Sequence, residues 1–135
     1  MNMLAITIGM VALTLPLQAE KIDGKWLSER EVGAVDGKTY KHTSTITLKS
    51  EGNVVTGTVV SVSEAPWMAT MTGRSFPIKD GKIEGDKFSF KVMIESDEGE
   101  RTSIYEGTVA GDRLKGVIKF RGIGQSWVLD AARVK

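Results

Sequence analysis

Hydrophobic and polar side chains alternate with a period of two along most of the chain beyond residue 20. Across 40–49 the even positions carry Tyr40, Ile46 and Leu48, while the odd positions are Lys or Thr throughout. Across 87–94 one face takes Phe88, Phe90, Val92 and Ile94; Leu114, Gly116, Ile118 and Phe120 repeat the pattern, as do Trp127, Leu129 and Ala131. Successive strand residues point to opposite faces, so this alternation predicts antiparallel sheet with one buried and one solvated side. No stretch after Glu20 sustains apolar residues at the i, i+3, i+4, i+7 spacing of a helix.

Turn residues separate the alternating runs. Glu51-Gly52-Asn53, Gly85-Asp86 and Gly111-Asp112 place side chains that tolerate positive φ between strands, the signature of tight hairpins. Eight strands follow, over 24–30, 39–50, 54–62, 76–84, 87–95, 101–110, 113–121 and 125–133. Hairpin-linked strands in this number either stack as two sheets or close as an up-and-down barrel, and closure removes exposed edges. The fold class is accordingly all-β, an eight-stranded antiparallel up-and-down barrel. One motif recurs within it: Asp80-Gly81-Lys82-Ile83-Glu84-Gly85-Asp86-Lys87-Phe88 matches Glu106-Gly107-Thr108-Val109-Ala110-Gly111-Asp112-Arg113-Leu114 in form. A two-strand hairpin used twice explains the echo, with Gly85 and Gly111 at turn corners and Gly81 and Gly107 permitting strong strand coiling.

Composition adds a compartment and removes several functions. Residues 1–19 hold no charged side chain, run apolar from Leu4 to Leu15 and end in Pro16-Leu17-Gln18-Ala19. This is the form of a cleaved signal peptide, and the run is short for a spanning helix, which needs about 20 apolar residues. The expected organisation is a signal peptide over 1–19 and one β-barrel domain over 20–135, secreted or periplasmic, with no stable membrane span after cleavage. The 18 Lys and Arg against 17 Asp and Glu lack the basic footprint of a nucleic-acid binder. The absence of Cys excludes disulfides, thiolate metal sites and a thiol nucleophile.

The order Ile22-Asp23-Gly24-Lys25-Trp26, then Leu48-Lys49-Ser50-Glu51-Gly52-Asn53-Val54-Val55-Thr56-Gly57-Thr58-Val59, then Trp127-Val128-Leu129-Asp130-Ala131-Ala132-Arg133 resembles the calycin superfamily. Within it the layout is similar to avidin- and lipocalin-type barrels, where Gly-x-Trp opens the first strand, and to small secreted bacterial domains of unknown function. The resemblance implies that Arg133, near the last strand, crosses Trp26 in a cation–π contact of about 0.5–2 kcal/mol, which makes both residues structural. It does not carry biotin binding: the Tyr, Ser, Asn and multiple-Trp constellation of avidin-type sites is not matched by a chain with three Trp.

Candidate binding residues concentrate in 63–75, which is long for a hairpin connection and holds Trp67, Met68, Met71 and Arg74. These apolar groups either plug the barrel end, form a lid over a ligand or contact a partner, and Met adapts to varied surfaces. Tyr105, on an inward position, completes the ligand-binding set. The carboxylates of Glu95-Ser96-Asp97-Glu98-Gly99-Glu100 lack the spacing of a Ca²⁺ loop and read as an acidic hairpin tip. His42 is the sole imidazole, making neither a zinc site nor a triad. Nucleophile-elbow and metalloprotease motifs are absent, and no activated group sits beside a base in sequence. The expected function is an exported non-catalytic barrel, without cofactor or metal, that binds a small apolar or amphipathic ligand. The alternative is an inhibitor-like module that presents the 63–75 loop to an exported protein. The apolar outward residues of the third strand, Val54, Val60 and Val62, leave the oligomeric state open.

Overall fold

The structure is a computed structural model that describes residues 22–33, 37–66, 72–96, 99–122, 124 and 126–135. Eight strands run β1 (Gly24–Gly33), β2 (Thr39–Glu51), β3 (Val54–Ser63), β4 (Ser75–Glu84), β5 (Lys87–Ser96), β6 (Gly99–Ala110), β7 (Arg113–Phe120) and β8 (Ser126–Arg133). Each pairs antiparallel with the next, and β1 pairs with β8, so the sheet closes as an up-and-down barrel. The alternation located these strands to within three residues at either end. The signal-peptide assignment falls outside the described residues.

Closure divides the connections into two sets. At one end, here the base, β2–β3, β4–β5 and β6–β7 are joined through 52–53, 85–86 and 111–112. At the other end, the mouth, the joins are 34–38, 64–74, 97–98 and 121–125.

Buried side chains fill the base. Trp26 is fully enclosed, its indole Nε1 donates to the Ile22 carbonyl at 3.0 Å, and the Arg133 guanidinium carbon lies 4.2 Å from the ring centroid. Arg133 also donates to the Asp23 carbonyl and, through Nε, to Asp112 at 3.0 Å. Asp23 in turn accepts from the Ser50 amide at 2.7 Å, tying the entry of β1 to the end of β2. Above this plug Ile46, Leu48, Val55, Ile83, Phe88, Leu114 and Leu129 form the core. Such close packing needs sharply coiled strands. A Cβ on Gly107 would stand 2.2 Å from the Lys115 carbonyl oxygen, and one on Gly81 2.1 Å from that of Val55, so only glycine lets the neighbouring backbone approach this far. The second case adjoins a register shift between Lys79 and Lys82, where Asp80 adopts φ 52°.

Candidate functional site

The inward face changes chemistry along the barrel axis. On β2 the inward residues run Leu48, Ile46, Ser44 and His42 from base to mouth, and all four are buried. On β1 the corresponding series is Trp26, Ser28, Arg30 and Val32, and on β3 it passes from Val59 to Ser61. Strands β5, β7 and β8 remain apolar to their mouth ends, with Ile94, Phe120 and Trp127 packed against the core. The mouth is therefore amphipathic: one wall carries hydroxyl, imidazole and guanidinium groups, and the opposite wall is mainly aromatic and aliphatic, interrupted on β6 by the buried Ser103 and the exposed Arg101.

These groups converge on Trp127. The Arg30 guanidinium carbon sits 3.5 Å from the Trp127 ring centroid, Phe120 meets the same ring edge-on at 4.6 Å, and His42 approaches it edge-on at 6.3 Å. Arg30 and Trp127 are half-buried, so their stacking is partly shielded and is worth about 1–2 kcal/mol. Beneath them Tyr105 stacks on Phe90 at 4.7 Å, continuous with Phe88 at 6.0 Å from Phe90.

Hydrogen bonding within the cluster is incomplete. Ser61 and Ser44 hydroxyls lie 2.9 Å apart, and Ser44 Oγ reaches His42 Nε2 at 3.4 Å. His42 is only 5% exposed, yet among the described residues its Nδ1 has no hydrogen-bond partner, and neither has the buried Nε of Arg30. A buried polar atom without a partner carries a desolvation cost of about 1–3 kcal/mol, and functional sites are where such costs persist.

Electrostatics follow from burial and from Arg30. Burial lowers the His42 pKa below its ordinary value, and the Arg30 charge pushes it further the same way. Burial pushes the Tyr105 phenol up to about 12, with Arg30 acting in the opposite sense. The Arg30 pKa is itself lowered by burial, but a guanidinium remains a cation at neutral pH. At pH 7 the cluster thus presents one fixed positive charge, a neutral imidazole, two serine hydroxyls and a protonated phenol.

A serine beside a histidine is also the pairing of nucleophilic catalysis. Here Ser44 is buried with its hydroxyl engaged by His42 and Ser61, and no described residue orients the His42 Nδ1, whereas an activated serine needs an exposed oxygen and an oriented base. Among the described residues no group of three His, Asp or Glu side chains is placed to hold a metal.

The other sequence-derived candidates are distributed differently. Trp67, Met68 and Met71 lie outside the described residues. Arg74 is exposed, 5.1 Å from the Phe76 ring, and borders an outer notch of about 240 Å³ with Lys79, Met93 and Glu100. Tyr105 does not line that notch; it belongs to the interior stack. The flanks of the 64–74 connection are tied to the rim: Glu64 donates its amide to the Lys41 carbonyl at 3.0 Å, and the Ser61 carbonyl accepts from Gly73 at 2.8 Å. The acidic tip over 95–100 lies partly outside the described residues. A larger depression of about 560 Å³ lies on the outer wall, bordered by Lys82, Glu84, Lys87 and Glu106, whose opposite charges neutralise one another.

Sequence reasoning passed over Arg30, Ser44, Ser61 and Trp127 as site residues. The signal was there: with Trp26 inward, period two puts Ser28 and Arg30 inward too, and a charged residue on the inner face of a barrel strand is itself informative. The barrel is compatible with a calycin-like architecture. Among known proteins, no family model, no curated relative and no solved structure matches the chain.

Proposed function

We propose that the protein is an exported, non-catalytic β-barrel that binds one small amphipathic molecule at its mouth, against Trp127, Phe120, Arg30 and His42. The observation that carries this reading is the amphipathic mouth itself, in which an aromatic wall faces buried polar atoms that have no partner among the described residues. Eight-stranded barrels have interiors wide enough to be filled by side chains or to hold one small ligand. Here the base is filled, and polar incompleteness is confined to the mouth. The calycin resemblance implies the same kind of function. Export rests on the uncharged apolar run over residues 1–19.

The test is a titration with N-phenyl-1-naphthylamine, an uncharged apolar fluorophore. Saturable binding at one site is expected, weakened at least about fivefold by Trp127→Ala, since removing a half-buried aromatic anchor removes its contact area. Absence of saturable binding, or unchanged binding by a folded Trp127→Ala variant, contradicts the reading.

A further inference from the structure

We infer that the molecule taken at the mouth is a monoanion whose head is a carboxylate, received by the Arg30 guanidinium edge and the His42 Nδ1. The inference rests on the mouth-ligand reading above and adds the chemistry of the head group.

Three features of the cluster lead to it. Trp127 covers one face of the Arg30 guanidinium at 3.5 Å, which leaves the edge for in-plane hydrogen bonding, and the Nε on that edge has no partner among the described residues. A guanidinium edge is planar and two-pronged, and a carboxylate is its planar complement. The chain of hydroxyls then decides what His42 offers. Ser44 Oγ lies 3.4 Å from Nε2 and 2.9 Å from Ser61 Oγ; when Ser44 donates to Nε2 the proton resides on Nδ1, and an anion bound beside Arg30 selects that tautomer. In that tautomer the buried Nδ1–H, which has no acceptor among the described residues, is a second donor for the same anion.

Charge selects a monoanion. Among the described residues of the cluster Arg30 supplies the half-buried fixed charge: Tyr105 keeps its proton, Glu29 lies on the outer face 3.7 Å from Lys41, and Arg101 of β6 is exposed at the rim, where solvent screens it. One negative charge neutralises Arg30, while a dianion such as a phosphate monoester leaves a net charge in a half-buried site, which is costly. The aromatic wall of Phe120 and Trp127 gives the ligand's body an apolar surface, so the ligand is a carboxylate joined to an aryl or alkyl group.

The experiment compares 4-phenylbutyrate with 4-phenylbutanol, which share a body and differ in the head, by displacement of N-phenyl-1-naphthylamine and by the side-chain nitrogen resonances of Arg30 and His42. The acid is expected to bind about tenfold or more tightly than the alcohol, as charge-assisted hydrogen bonds require, and to shift the Arg30 Nε and His42 Nδ1 signals. Arg30→Gln is expected to bring the acid-to-alcohol affinity ratio to within about twofold of one, the ratio being read within the variant so that any loss common to both ligands cancels. Arg30→Lys, which keeps the charge but not the planar edge, retains part of the preference and guards against misreading a folding defect, as does an unchanged circular dichroism spectrum. Equal binding of acid and alcohol, or a preference that survives Arg30→Gln, overturns the carboxylate inference and leaves the mouth reading standing. If neither compound displaces the fluorophore and the fluorophore itself does not bind, both fall together.

Discussion

At the scale of single residues, the interior titrates away from ordinary values in directions that can be measured. The His42 pKa lies below its usual 6.5 because the ring is buried beside Arg30. The unfolded chain therefore binds more protons than the folded one between the depressed value and 6.5, and stability falls as pH drops through that window. Urea unfolding from pH 7 downward is expected to show this loss, with a shallower slope in His42→Gln; equal slopes contradict it. Tyr105 behaves oppositely: its folded pKa of about 12 exceeds the ordinary 10, so its contribution is intact below pH 10 and is lost as pH rises toward 12. Tyrosinate absorbance emerging near pH 12 in the folded protein, and missing from Tyr105→Phe, is the expected signature. At the base, Trp26→Ala opens a cavity under Arg133 and is expected to cost about 3–5 kcal/mol by chemical denaturation; a loss below about 1 kcal/mol contradicts the plug. Residue-level legibility was uneven. Trp26 and Arg133, paired by resemblance, are in contact, and Phe88, Phe90 and Tyr105 do face the interior. Arg30 was missed because charge is habitually assigned to the solvated face, and only the phase set by Trp26 shows it pointing inward.

At the scale of elements, glycine placement and uneven pairing set the mechanics of the sheet. The repeated hairpin puts Gly107 where its neighbour's carbonyl fills the space of a side chain, so Gly107→Ala is expected to destabilise by about 1–3 kcal/mol through overpacking. An exposed turn glycine, Gly73, meets nothing within 4 Å and makes the natural comparison for space, though its φ of 77° adds a backbone term of its own. Pairing varies around the ring. Strands β5 and β6 match over ten residue pairs, whereas β1 and β8 match only at Trp26 with Arg133 and Leu27 with Ala132, supplemented by a bond from the Val134 amide to the Lys25 carbonyl at 2.8 Å. Beyond Leu27 the seam is bridged by side chains, with Arg30 stacked on Trp127 across it. Hydrogen exchange is expected to be slowest in β2, which matches both β1 and β3 over ten residue pairs, and along the β5–β6 ladder, and fastest at amides of β1 and β8 that border the seam; uniform protection around the ring contradicts this. Alternation with turn residues was enough to locate every strand. It stopped β1 at Arg30 rather than Gly33 because the inward series there is Ser28, Arg30, Val32, which does not alternate in hydrophobicity even though Glu31 to Gly33 pair with Lys41 to Thr39.

At the scale of the whole molecule, the closed ring and its strand order were readable from hairpin-linked alternation, because no other arrangement of eight consecutive antiparallel strands so fully removes open edges. The polarity of the barrel, with a sealed base and an amphipathic mouth, was not readable until register placed Arg30, His42, Ser44 and Ser61 at one end. Register depends on which residues face each other, and sequence spacing alone does not carry that information across strands. A ligand is expected at this end of the barrel and not on the outer wall. The most direct measurement is a ¹⁵N-resolved titration of the protein with N-phenyl-1-naphthylamine that follows all backbone and indole signals. The expected result is saturable shifts confined to the Trp127 indole, Phe120, His42 and their neighbours at the mouth, with the Trp26 indole at the base unmoved. Shifts centred instead on Lys82, Ser89 and Glu106 of the outer wall, or no saturable shifts at all, would contradict it.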